Sequence, residues 1–97
     1  MKQKNANDQQ KENLYEAIAL LKGKVECENF LLDLCTPAEI EAMVDRWEVA
    51  NLLLQDMSYR AIAKQTGVSV TTVTRVARFL FNGNEGYKTV LKRMEKM

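Results

Sequence analysis

The sequence predicts an all-α protein of six helices, and three observations carry that reading. Apolar residues recur at three- and four-residue steps through each long segment, the spacing of one helix face. Residues suited to helix N-caps (Thr36, Ser58 and Ser69) stand directly before three of those segments. Residues 57–80, MSYRAIAKQTGVSVTTVTRVARFL, read as two short helices joined at a glycine, the helix-turn-helix pattern.

Within that pattern each position has a physical task. Ser58 caps the first helix, whose inward residues are Ile62 and Ala63. Gly67 supplies the backbone position of positive φ that a tight interhelical turn requires. Ser69 caps the second helix, and Val73, Val76, Ala77 and Leu80 give it one apolar face. Ala63, four residues before the glycine, lets the two helices approach closely.

The opposite face of the second helix carries Val70, Thr71, Thr74, Arg75 and Arg78. Threonine and small apolar groups suit base edges and thymine methyls, and arginine suits guanine or phosphate. Arg60 and Lys64 on the first helix are placed for the phosphate backbone, or, for Arg60, a base. With Ser69 and Thr72 at the start of the second helix, these residues form the expected double-stranded DNA contact set. An ordinary helical hairpin with a solvated Thr/Arg face is the alternative. The agreement of turn glycine, alanine, two caps and a basic outer face favours DNA.

Ninety-seven residues make one domain with a modest core, which a second copy would help to complete. At 46% hydrophobic and 28% charged the balance is that of an ordinary globular chain. No apolar run approaches the ~18 residues of a membrane span, and the polar start MKQKNANDQQK is not a signal peptide. A cytoplasmic protein without a membrane partner is expected. The chain has two cysteines, Cys27 and Cys35, and no histidine. That excludes the usual zinc ligand sets and removes the commonest general base. No glycine-rich phosphate loop is present, so neither an enzyme nor a metal protein is expected. The cysteines read as buried apolar fillers on neighbouring helices. A net charge of +1 conceals a division: residues 57–97 hold eight Lys/Arg against two acids, and residues 1–56 hold six against eleven. A basic half that coincides with the helix-turn-helix points to a polyanion partner.

In chain order, residues 1–9 are expected to be a flexible N-terminus and residues 10–97 a single domain. Within it, residues 10–56 form a dimerisation arm and central helix, 57–80 the helix-turn-helix and 84–97 a C-terminal helix. From about Asp8 a first helix sets Leu14, Ile18, Leu21 and Val25 in one seam, of the kind a partner helix fills, and stops or bends near Gly23–Lys24. A second, through Glu28 to Leu34, is apolar nearly all round, so residues 10–35 read as an interface with a second copy. Thr36-Pro37-Ala38-Glu39 is a capping box with proline at the first helical position. It opens a third helix to about Gln55, with Ile40, Met43, Val44, Trp47, Ala50, Leu53 and Leu54 as its apolar face. After a loop over residues 81–86, the last helix sets Tyr87, Val90, Leu91 and Met94 on one side.

The run LCTPAEIEAMVDRWEVANLLLQDMSYRAIAKQTGVSVTTVTR resembles the bacterial tryptophan repressor, most closely at TPAE, MSYR and TVTR. As a whole the chain looks most like the tryptophan-repressor-like YerC/YecD group. The resemblance implies a six-helix subunit in an intertwined homodimer with paired reading heads, and a sequence-specific transcriptional regulator, most often a repressor. It also implies a small-ligand site at Thr36, Arg46 and Arg75, where the family repressor takes L-tryptophan. Two positions depart from the family pattern. Glycine and serine there are Val76 and Phe79 here, bulky side chains able to fill the indole slot. No cofactor is therefore expected, and tryptophan least of all. A helical protein–protein interaction module without a specific DNA target is the alternative of a different class.

Overall fold

The computed structural model describes residues 7–95. Residues 1–6 of the expected flexible N-terminus, and the last two residues of the expected C-terminal helix, lie outside that range. The described residues form six α-helices and no strand: α1 (Asp8–Ala19), α2 (Gly23–Leu34), α3 (Pro37–Leu53), α4 (Tyr59–Thr66), α5 (Val70–Asn82) and α6 (Gly86–Arg93). The chain divides into two compact units between Thr36 and Pro37. The expected grouping of α3 with the arm, as residues 10–56, does not follow this division. α3 packs against α4 and α5 and belongs with the head.

In the N-terminal unit, helix α1 starts at Asp8, as its pattern suggests, and stops sooner than expected. Asn7 caps it, accepting a 2.8 Å hydrogen bond from the Gln10 N–H, while the Gln10 side chain accepts from the Asn7 N–H at 3.0 Å. Two of the four N–H groups that a helix start leaves unpaired are thereby satisfied. Asp8 and Gln9, expected within the flexible end, are thus helical. The helix closes at Leu20, and α2 begins at Gly23, so the expected seam is broken. Leu14 and Ile18 lie on α1, Leu21 in the link and Val25 on α2. Glu26 restarts the helix by accepting from the Lys22 N–H at 2.8 Å. Helix α2 thus starts five residues before Glu28, where its apolar pattern begins. Cys27 and Cys35 are free and half-buried, one within α2 and one capping its end, not on neighbouring helices as expected.

No residue of α1 or α2 is buried. Leu14, Ile18, Leu20, Val25, Leu32 and Leu34 are all exposed, Leu20 by 77%.

The C-terminal unit has one core. It comprises Val49, Ala50, Leu52 and Leu53 of α3, Ile62 of α4, Val73, Val76, Ala77 and Leu80 of α5, and Leu91 of α6. Of the expected α3 stripe, Ala50 and Leu53 are buried and Val44 is exposed. Val49 and Leu52, outside that stripe, are buried instead. The reason is geometric: α4 and α5 both pack on α3, so its C-terminal half buries two flanks and a single-stripe reading finds only part of each. Trp47 is half-buried against this core. Helix α5 continues through Asn82, two residues beyond the expected end, leaving Gly83, Asn84 and Glu85 as the link. Lys88 ties that link down, donating to the Phe81 carbonyl at 3.3 Å and lying 3.6 Å from the Glu85 carboxylate. On α6, Leu91 is buried, while Val90 and, just past the helix end, Met94 of the expected inner face are exposed.

Candidate nucleic-acid interface

The turn between α4 and α5 is built as its residues require. The Ser58 hydroxyl accepts from the Ala61 N–H at 3.1 Å and starts α4. Gly67 ends it at φ +81°, its N–H bonded to the Ala63 carbonyl at 2.9 Å. The Thr66 hydroxyl donates to the Ile62 carbonyl at 2.7 Å and accepts from the Val68 N–H at 3.3 Å, supporting the end of α4 from the side. The Ser69 hydroxyl accepts from the Thr72 N–H at 3.1 Å and starts α5. Ile62, Val73, Val76, Ala77 and Leu80 are all buried, so α5 is fixed along its inner side and its outer side is presented rigidly. That rigidity is what a reading element needs.

On that outer side, Val70, Thr71, Thr74, Arg75 and Arg78 are exposed and line one groove together with Phe79. The Thr74 hydroxyl donates to the Val70 carbonyl at 3.0 Å. With its hydrogen engaged there, Thr74 offers an approaching ligand an acceptor and a methyl group, but no donor. Ser69 and Thr72 face elsewhere. Their hydroxyls are bonded to each other at 3.0 Å, and both line a recess at the turn with Glu41, Asp45, Arg46 and Gly67. Arg60 and Lys64 are exposed on α4 and line neither hollow. Among the described residues, Arg60, Lys64, Arg75 and Arg78 have no carboxylate partner. Four cations without counter-charges leave this side of the head open to a polyanion.

Phe79 was expected only as a plug for the ligand pocket; it also forms part of the outer groove. The guanidinium carbon of Arg75 lies 5.1 Å from its ring centroid and that of Arg78 lies 5.9 Å away. Its place four residues after Arg75 was the sequence signal for this contact.

Of the residues expected to hold a small ligand, Arg46 and Arg75 line one cavity of about 180 Å³ with Val76, Phe79 and Tyr87. Thr36 is the last residue of the N-terminal unit. Val76 is 1% exposed and fills its part of the site. Phe79 is 37% exposed, and its ring makes a wall and not a plug. Tyr87, which sequence reasoning did not place here, arrives from α6 after an irregular link, so no helical spacing pointed to it. No group of three or more metal-ligating side chains, and no helix long and apolar enough to cross a membrane, occurs among the described residues.

The family model described as Trp repressor protein matches residues 9–95, nearly the whole chain. The chain belongs to the Trp repressor family. The Bacillus subtilis protein YerC, itself uncharacterized, is 39% identical over 85 residues, covering 88% of this chain and 82% of its own. A Trp operon repressor homolog of Vibrio cholerae is 34% identical over 83 residues, covering 81% of each chain. Among solved structures, a TrpR-like protein from Eubacterium eligens superposes with a TM-score of 0.79 at 42% identity, over 87% of both chains. The expected all-α, six-helix Trp-repressor-like subunit is thus the observed fold.

Proposed function

We propose that this chain is a sequence-specific double-stranded-DNA-binding transcriptional regulator, a repressor that acts in the cytoplasm as a homodimer. The observation that carries the reading is the outer face of α5. There Val70, Thr71, Thr74, Arg75 and Arg78 share one exposed groove on a helix whose inner side is buried throughout. Helix α5 enters the major groove, with Thr74 accepting from a base amino group or meeting a thymine methyl, and the arginines taking guanine or phosphate. Arg60 and Lys64 grip the backbone beside it. Ser69 and Thr72, expected among the DNA contacts, serve the reading face by holding the start of α5 through their bonds to each other. Membership of the Trp repressor family supports the same reading. The unburied apolar residues of α1 and α2 supply the surface on which two chains join, setting paired reading heads about 34 Å apart on a near-palindromic site. DNA binding proceeds without L-tryptophan, because Val76 and Phe79 narrow the cavity beside Arg46 and Arg75.

The test is fluorescence anisotropy with labelled duplex DNA across a salt series. Affinity should fall steeply, with log K against log[salt] losing about 0.9 per phosphate neutralised and several units in total. Absence of binding to any duplex at low salt would end the proposal.

A further inference from the structure

Phe79 is the one aromatic side chain among the described residues lining the outer groove of α5, and the guanidinium carbons of both arginines there lie within 6 Å of its ring centroid. We propose that Phe79 is the positioning residue of the reading face, holding Arg75 and Arg78 in the orientation that reads guanine. This rests on the DNA-binding reading above and deepens it.

The geometry supports the assignment in three steps. A guanidinium over a ring presents its flat face to the π-cloud, and its N–H donors lie in its own plane, pointing outward. Stacking therefore leaves the two-pronged edge free for the O6 and N7 acceptors of guanine. Arg75 and Arg78 lie three residues apart on the helix and carry like charges, so unsupported side chains would splay away from each other. The negative face of a ring 5.1 Å from one and 5.9 Å from the other draws both toward it. Finally, an unrestrained arginine loses rotamer freedom when it docks, and one already held against a ring loses less. On its other side the Phe79 ring walls the cavity that Val76 and Tyr87 also line.

An arginine that is merely present contributes charge to any duplex, whereas an aimed arginine contributes discrimination. Phe79 should therefore affect specific binding far more than general binding. The probes are the duplex that the wild-type protein enriches most from a randomised library and a scrambled duplex of equal length. Phe79→Leu should weaken binding to the enriched duplex roughly tenfold, the scale of two partly exposed cation–π contacts. Affinity for the scrambled duplex and the salt slope should change little, because both charges remain. Phe79→Tyr, which keeps the ring face, should restore the enriched-duplex affinity. In an Arg75→Lys, Arg78→Lys background, which keeps charge without the planar group, Phe79→Leu should have no further effect. Should Phe79→Leu alone melt near the assay temperature, Phe79→Met, which fills a similar volume without a ring, should show the same selective loss on the enriched duplex.

Wild-type specificity retained by Phe79→Leu overturns the inference while leaving DNA binding intact. So does failure of Phe79→Tyr to restore it, or an equal loss on both duplexes. A wild-type protein that binds no duplex overturns the parent reading instead.

Discussion

Trp47 of α3 and Tyr87 of α6 stack with ring centroids 6.3 Å apart and planes 13° from parallel. This offset arrangement is one of those aromatic pairs prefer. It joins the last helix to the central one, and its Tyr87 ring also walls the cavity that Arg46 and Arg75 line. Apart from it, α6 is held by buried Leu91 and by the Lys88 contacts at its start. Tyr87→Ala should therefore destabilise the head by about 2 kcal/mol, less than a fully buried aromatic would cost. Tyr87→Phe should stay within about 0.5 kcal/mol. Trp47 is the single tryptophan of the chain, so its emission during urea unfolding reports this contact directly. A Tyr87→Ala variant as stable as wild type would show that Leu91 and the Lys88 contacts hold the helix without the stack.

Two glycines should respond differently to the same substitution. At Gly67 an added Cβ meets nothing within 4 Å, but the backbone sits at φ +81°. Gly67→Ala should cost about 1–2 kcal/mol from backbone strain alone, and Gly67→Asn less. At Gly83 an added Cβ would collide with the Phe79 carbonyl oxygen and come within 2.9 Å of the Phe79 Cα, so backbone must move. Gly83→Ala should cost at least about 2 kcal/mol, and by shifting the last turn of α5 it should also weaken binding to a selected duplex. Equal effects at the two sites in thermal melts would refute the distinction.

The head was legible in the sequence because its signals are local. Caps at Ser58 and Ser69, the left-handed turn at Gly67 and the inner face of α5 follow from spacing alone, and each is present. The arm was less legible, since Glu26 accepts from the Lys22 N–H at the start of α2, a side-chain bond that no periodicity records. For the site, spacing grouped Val70, Thr71, Thr74, Arg75 and Arg78 correctly into one groove. It missed Tyr87, because a contact between α3 and α6 depends on how the chain turns at residues 83–85. It also cast Phe79 as filler, since a ring's partners are decided by rotamers and not by sequence position.

Leu14 and Ile18 offer a test of the homodimer. Both are exposed in a single chain. If that were their working environment, Leu14→Asp or Ile18→Asp should change stability by no more than about 0.5 kcal/mol. In an interface, each would bury an unpaired carboxylate, costing several kcal/mol in two copies at once. The expected result is loss of the folded dimer in analytical ultracentrifugation, with wild-type melting that rises with protein concentration. A wild-type protein sedimenting at 11.1 kDa, half the expected mass, would contradict the homodimer.

The last prediction concerns L-tryptophan, where the residues for gripping an amino acid and the space for it disagree. Arg46 and Arg75 line one cavity, and Arg46 makes no ion pair among the described residues, so a carboxylate would find partners. The cavity measures about 180 Å³, against roughly 300–1,000 Å³ for typical small-molecule sites. Val76 cannot give way cheaply, being 1% exposed within the core of α5. Displacing packed side chains costs about 1–3 kcal/mol for even a few added methylenes, comparable with what a charge-assisted hydrogen bond returns. The balance should therefore be no binding: no calorimetric heat, no thermal shift at millimolar L-tryptophan, and DNA affinity indifferent to it. Val76→Gly with Phe79→Ser should enlarge the cavity and admit L-tryptophan weakly, at a stability cost of about 2–4 kcal/mol from the lost core contact and a glycine inside a helix. The same pair removes the ring beneath Arg75 and Arg78, so its affinity for a selected duplex should fall whether or not the ligand is present. Micromolar L-tryptophan binding by the wild type would reverse the argument and make Arg75 a ligand contact before a DNA contact.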